Sequence, residues 1–495
     1  MHLEATPFTP CVSHFVGFAL AAGHVVAMLF SPNFFRDAAM KFLRFATPVL
    51  FAIVVSQAVA DVPPDTPKRR EDIAQFRREF FDNDRAYPLT ARLEAEQRLT
   101  ALEKDADRVD QIAFALELAR VSALADNGHT GSSAASRSRR LERVDVRLVP
   151  FGEEFYVLRA RVENADLLGA RLASIDGVSA STLRTAVRAL QGGTPAWRDR
   201  AAAYFFESPP QLRAAGIGSG SAAPVYAFVT DDGRTLERTF AVSPAGADRV
   251  GGNATRWMFP VLAPLEDRAW RTLIDAERAP WALQEPVKRF RWRHEKILDA
   301  LVIEMRQSSS SANEKLRDFF EAVEKAIDET RPTNLVLDLR LNAGGDLTAT
   351  RDFAERLPRL VTGRIFALTS PWTFSAAIST LGYLKQAAAA RVTIVGEPVG
   401  DRLNFFAEGK AVTLTNSKES FLYASERHEY RSGCRQYDDC HRPIVSRPIN
   451  VQSLEPDIKA PWTIGAYRAA RDPAMEAVAA ALGQASAISL PLLQK

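Results

Sequence analysis

Three short apolar runs, Leu335–Leu339, Ile365–Leu368 and Val392–Val395, are separated by stretches with helical spacing. Runs this short and this apolar, broken only at Asp338 and Thr393, are expected to be buried on both faces. Parallel strands joined by helices are the arrangement that buries them. Residues from about 296 to 485 are therefore expected to form an α/β layer, with the rest of the chain arranged around it.

The composition permits a fold of this size. The chain has 495 residues, 46% hydrophobic and 25% charged, enough for roughly two to four domains. Its formal net charge is +3, and the basic residues are dispersed among acids, so no stripe for nucleic acid is read. The sequence Gly216-Ile217-Gly218-Ser219-Gly220-Ser221 lacks the following lysine of a phosphate loop and reads as a linker.

Residues 1–60 read as a leader. Lys41 and Arg44 precede an apolar run from Phe45 to Val55, and Ala58-Val59-Ala60 is a small-x-small cleavage site before Asp61, so residues 40–60 have the parts of a signal peptide starting at an internal methionine. Export to a bacterial periplasm or medium is expected, with membrane attachment only if the leader stays uncleaved. Phe15 to Phe30 is also apolar but short for a span. Of the three cysteines, Cys434 and Cys440 lie outside the leader with five residues between them, and an oxidising compartment favours a short-loop disulfide. His428 and His441 flank the pair, but adjacent ligands at 440 and 441 would strain a tetrahedral zinc site, so no metal and no cofactor are expected.

Residues 61–135 carry charge and alanine at helical spacing. Leu89, Leu93 and Leu99 supply part of one apolar face and Ile112, Leu116, Ala119 and Ala123 another, and the region ends at Asp126-Asn127-Gly128-His129-Thr130. From 140 to 245 the period becomes two, as at Val144, Val146 and Leu148. There a strand, an Asp176-Gly177 turn and a helix bearing Leu183, Val187 and Leu190 resemble part of a PDZ domain, a fold that binds peptide by strand addition. A packing domain without a ligand groove fits equally well. Residues 246–295 are left as a connector.

The stretch Leu337-Asp338-Leu339-Arg340-Leu341-Asn342-Ala343-Gly344-Gly345 reads as a buried strand entering a turn with two adjacent glycines, a turn able to present backbone N–H groups to negative charge. Thirty residues on, Thr373-Phe374-Ser375-Ala376-Ala377 places a serine at a helix start. At the ends of successive strands the two segments can meet, with the amides of Gly344, Gly345 and Ala376 forming an oxyanion hole beside a Ser375 nucleophile.

These DLRxNxGG and TxSAA patterns resemble the core of the S41 peptidases, the family of C-terminal processing and tricorn-type proteases. The resemblance implies a crotonase-like core of repeated ββα units and protein or peptide substrates. It also offers two ways to activate the serine. One branch places a lysine about 25 residues later, where this chain has Gly396-Glu397-Pro398-Val399-Gly400-Asp401-Arg402 and no lysine. The tricorn-like branch draws a histidine from an N-terminal D-x-x-H-T element, which Asp126–Thr130 resembles, making His129 the general base. That branch also takes its acid more than fifty residues beyond the serine, which favours Glu429, with Glu397 and Glu426 left open. The expectation is an exported, metal-independent serine peptidase. A binding protein on the same fold is the alternative, and an esterase is less favoured because no G-x-S-x-G elbow occurs. Substrate preference and oligomeric state are not legible.

Overall fold

The computed structural model describes residues 66–245, 254–262 and 269–484. The expected leader and signal peptide lie outside them. Among the described residues no helix is long and apolar enough to cross a membrane, and from Val62 onward the chain clusters as a single compact unit.

The three apolar runs are neighbouring parallel strands. The central sheet has six strands in the order Phe290–Glu295, Ala300–Met305, Asn334–Asp338, Ile365–Thr369, Val392–Gly396 and Ile458–Lys459. Only the first strand is antiparallel to its neighbour, and it belongs to the sheet although the sequence leaves residues 290–295 to the connector. Strands 300–305, 334–338 and 365–369 are buried at every residue, as expected of a sheet covered on both faces.

Amphipathic helices make the crossovers. Helix Leu316–Thr330 buries Leu316, Phe320, Val323 and Ile327 at spacings of three and four, which turns one face to the core. It stops at Arg331, whose φ of 48° ends the helical run. Helix Leu347–Leu360 begins at Asp346, whose carboxylate accepts the Thr348 N–H at 2.8 Å, an N-cap. Each apolar side chain so buried contributes about 1.5–3 kcal/mol before entropy is counted.

A second, antiparallel sheet runs in the order Trp270–Thr272, Glu154–Arg161, Arg171–Ile175, Val225–Val229, Thr235–Thr239, with Val146–Phe151 and Val178–Ser179 joined at its side. Asp176 and Gly177, at φ 50° and 77°, make the expected turn into helix Ala180–Arg188.

The N-terminal region is helical as read, with one face corrected. Leu89 and Leu93 are 74% and 59% exposed, while Ala95, Leu99 and Leu102 are buried. At about 100° per residue Leu93 lies some 120° around the helix from Leu99, so the two cannot share the inward stripe. These helices share their core with Val412, Leu414 and Phe421, and the short strand Gly131–Ser132 pairs with Ser420–Leu422. The segment just after His129 is thereby stitched into a hairpin from the far end of the chain.

Candidate active site

Ser375 follows the strand Ile365–Thr369 across a five-residue connection and caps helix Ala376–Ala388. Its backbone takes φ 55° and ψ −126°, a region an L-residue enters at a cost of about 1–3 kcal/mol and keeps only where its surroundings enforce it. The enforcement comes from the preceding strand's loop. Phe374 N–H donates to the Asn342 carbonyl at 3.0 Å, and the Thr373 hydroxyl donates to the Leu339 carbonyl at 2.9 Å. The Ser370 hydroxyl donates to the Arg340 carbonyl. On the helix side, the Ile378 N–H reaches the Ser375 carbonyl at 2.8 Å. The serine is thus held in a sharp strand-to-helix elbow although the G-x-S-x-G spacing is absent.

Gly344 lies directly against it. A Cβ built at Gly344, whose φ is 105°, would sit 2.6 Å from Ser375 Cβ. Gly344→Ala is therefore expected to push the serine aside, lowering the rate of serine-probe labelling on the order of 100-fold and stability by about 1–3 kcal/mol. Stopped-time labelling and thermal melts check both.

The three amides expected to face an oxyanion are not equivalent. The Gly344 N–H donates to Asn342 Oδ1 at 2.9 Å and is occupied. The amides of Gly345 and Ala376 have no acceptor among the described residues. A parallel bridge to Ser308 holds the Gly345 backbone in place.

His129 reaches this corner from the N-terminal region. Its ring stacks on Phe374, the residue before Ser375, at 4.2 Å between centroids, and on Phe405 at 5.2 Å. The Asn127 side chain pins the loop to strand Asn404–Ala407, donating to the Phe406 carbonyl at 2.9 Å and accepting its N–H at 3.0 Å. Thr130 donates at 2.6 Å to the buried Asp84 carboxylate, which also accepts the Ala424 N–H at 2.8 Å.

The carboxylate that faces His129 is Asp401. Its Oδ2 lies 3.5 Å from His129 Nδ1, and the two side chains are 1% and 11% exposed. Neither that oxygen nor either ring nitrogen has a hydrogen-bond partner among the described residues. Asp401 Oδ1 accepts the Arg402 N–H at 2.9 Å, which orients the carboxylate. A Cβ at Gly128 would meet Asp401 Oδ2 at 2.9 Å, so the absence of a side chain there lets the loop and the acid approach. Nδ1 and Oδ2 are about half an ångström beyond hydrogen-bond distance, a gap of the kind that closes when substrate binds.

The three expected acids are elsewhere. Glu429 accepts the Arg431 and Ser432 amides, each at 2.8 Å, and the Ser432 hydroxyl. Burial opposes its ionisation, but these hydrogen bonds, led by Ser432, outweigh it and hold the carboxyl below its usual range. Glu426 contacts His441 Nδ1 at 2.7 Å. Glu397 sits past the strand Val392–Gly396, where burial pushes its pKa to about 7 against the opposing Trp462 amide. A carboxyl raised in the folded state contributes stability that is complete below about pH 4.5 and is lost as pH rises through about 7. Glu397→Gln is accordingly expected to match wild type at pH 4.5 and to exceed it by up to about 3 kcal/mol at pH 8, as measured by melting curves against pH.

Beside His129 lies a cavity of ≈ 370 Å³, mostly apolar, whose lining includes Trp197, Arg200, Tyr204, Phe421 and Leu422. Arg200 stands over the Trp197 ring at 4.0 Å. Its Nε and Nη1 have no hydrogen-bond partner among the described residues, and burial pushes its pKa down to about 9.

Sequence reasoning passed over Asp401. The signal available was positional, since it lies in the segment where the lysine-using branch would carry its base. Cys434 and Cys440 form the expected disulfide.

No family model and no curated protein matches the chain. Solved structures do match. Mature CPAF complexed with lactacystin is similar at TM-score 0.52 and 13% identity, over 84% of this chain and 98% of that one. Mature CPAF gives the same TM-score and identity over 84% and 96%. A putative S41 protease from Bacteroides fragilis is also found, at TM-score 0.29 and 11% identity over 69% and 82%. The chain has the mixed α/β fold of mature CPAF.

Proposed function

We propose that this chain is a serine peptidase of the S41 type, with Ser375 as nucleophile, His129 as general base and Asp401 in place of Glu429 as the orienting acid. The observation that carries the reading is the strained elbow at Ser375, wedged against Gly344 with the ring of His129 stacked on the adjacent Phe374. A purely structural N-cap has no need of such a conformation, whereas a nucleophile presented above a helix N-terminus does.

In this reading Ser375 Oγ attacks a peptide carbonyl while its proton passes to His129 Nε2. Asp401 accepts a hydrogen bond from Nδ1–H, selects that tautomer and stabilises the imidazolium. The amides of Gly345 and Ala376 hold the tetrahedral oxyanion, and Gly344, its own N–H tied to Asn342, keeps the turn open. His129 then protonates the leaving amine, and water deacylates the enzyme by the reverse proton path. The cavity beside His129 receives a substrate side chain with an apolar body, within reach of the unpaired Arg200 donors.

The core is read as crotonase-like, and the second sheet with helix Ala180–Arg188 as PDZ-like, presenting a sheet edge to extended peptide. Export through the leader belongs to the same proposal and agrees with the disulfide. Incubation of the purified chain with a fluorophosphonate probe and with denatured protein substrates tests the function. The expected result is a covalent adduct on the Ser375 peptide together with turnover. Binding of peptide with neither labelling nor turnover favours the binding-protein alternative.

A further inference from the structure

Behind the His129 loop, the ring stack does not end at Phe405. His428 stacks with that ring in turn at 4.8 Å, and His441 stacks on His428 at 4.9 Å. Glu408 leans over both. Its Oε1 lies 3.2 Å from His428 Nε2 and 3.9 Å from His441 Nε2, and the three ligand-capable atoms fall within 4.8 Å of one another.

The outer nitrogens of both rings are already engaged. His428 Nδ1 pairs with the Tyr430 hydroxyl at 3.0 Å, and that hydroxyl pairs in turn with Ser379 at 2.6 Å. His441 Nδ1 pairs with Glu426 at 2.7 Å. The Glu426 carboxylate only accepts, so His441 Nδ1 carries the proton and Nε2 keeps the lone pair, which is how metal-binding histidines are set in proteins; at His428 the Tyr430 hydroxyl is able to accept Nδ1–H in the same way. His428 is 2% exposed, and its Nε2 faces the Glu408 carboxylate at 3.2 Å without a well-aligned hydrogen bond. A buried ring nitrogen left in this state is costly without a partner.

We propose that Glu408, His428 and His441 form a binding site for one divalent transition-metal ion of the zinc type. Two imidazole nitrogens and a carboxylate oxygen are a borderline donor set suited to zinc, with the remaining position open to water. Ligand bonds of about 2.0–2.2 Å require the side chains to shift toward one another. The larger shift is a tilt of the His441 ring out of its stack, which the position of that ring permits: a cleft of ≈ 590 Å³ bordered by Glu426, Asp438, Asp439 and His441 leads to it. The sequence sets His428 and His441 beside the cysteines, and a zinc site on that set is not expected because adjacent ligands at 440 and 441 would strain it. With both sulfurs tied in the disulfide, the third ligand comes from the turn at Glu408. The disulfide's role is then to hold the loop carrying His441. The ion would clamp the Glu408 turn, the strand Glu426–Glu429 and that loop together, beneath the Phe405 ring on which His129 rests.

This inference does not depend on the peptidase reading, because its readout is binding. The full chain, freed of metal with a chelator, is titrated with zinc chloride against a chromophoric competitor, and with cobalt(II) for its visible ligand-field bands. One equivalent is expected, with a rise in melting temperature. His441→Ala and Glu408→Gln, both at partly exposed positions, should each weaken binding at least about tenfold while circular dichroism stays native. His294→Ala should change nothing. The proposal is overturned if wild type retains no more zinc than the His441→Ala/Glu408→Gln double variant, or if binding survives in that variant and is lost on replacing His129.

Discussion

Ser375→Ala is expected to lower kcat/KM by about four to six orders of magnitude and to abolish covalent labelling, with an unchanged circular dichroism spectrum. The Oγ is the one atom removed. It makes no hydrogen bond on which the elbow depends, because that turn is held by Phe374, Thr373 and Ser370 against the carbonyls of residues 339–342. Loss of labelling with retained fold therefore isolates the nucleophile. Equal labelling of the variant would sink the assignment of Ser375 and leave the fold without its proposed chemistry.

The second large effect separates the acids. Asp401→Asn preserves volume but removes the charge that stabilises imidazolium and the preference for the Nδ1–H tautomer, so kcat is expected to fall about 10³–10⁴-fold. Glu429→Gln should keep activity within about threefold. Its cost is to stability, on the order of 1–3 kcal/mol, since the Glu429 carboxylate caps the backbone at Arg431 and Ser432. The pair is decisive because the positions share no partner. A collapse of activity in Glu429→Gln with Asp401→Asn near wild type would restore the assignment made from sequence. Measuring kcat across pH adds a second readout, because an acid that stabilises the imidazolium sets the acidic limb of the profile, where the base loses its proton, whereas a structural carboxylate does not.

The difference between these two carboxylates shows where sequence reasoning stops. Glu429 was favoured because the family resemblance places an acid at that separation from the serine. In the structure its strand, Glu426–Glu429, pairs antiparallel with Asn404–Ala407, opposing Glu429 to Asn404 and His428 to Phe405. Alternation along a strand then puts residues 428 and 429 on opposite faces. His428 takes the side that stacks behind Phe405, and Glu429 turns to its own following loop. Asp401 arrives from a different element, the loop after Val392–Gly396, because Gly400 lets that loop pack within 2.4 Å of the Pro371 carbonyl as measured from a built Cβ. No spacing rule encodes that approach.

The helical region repeats the point on a smaller scale. Leu116, Ala119 and Ala123 turn inward as expected and Ile112 is half-buried, whereas Leu89 and Leu93, expected on the face of Leu99, are exposed. Hydrophobic residues at irregular spacing do not declare which of them the core selects. That choice depends on what packs opposite, here Val412, Leu414 and Phe421 from more than three hundred residues away.

The sequence by itself determined the parallel order of the central strands, the glycine turn beside Ser375, the helix that the serine opens and the pairing of Cys434 with Cys440. Each of these follows from local periodicity, conformational freedom or short chain separation. The tertiary structure decided which acid meets His129, which of the turn amides stay free, and that His428, His441 and Glu408 share one corner. Those depend on register and on close approach between loops from distant elements, where a displacement of one residue turns a side chain to the opposite face and an added methyl group prevents contact.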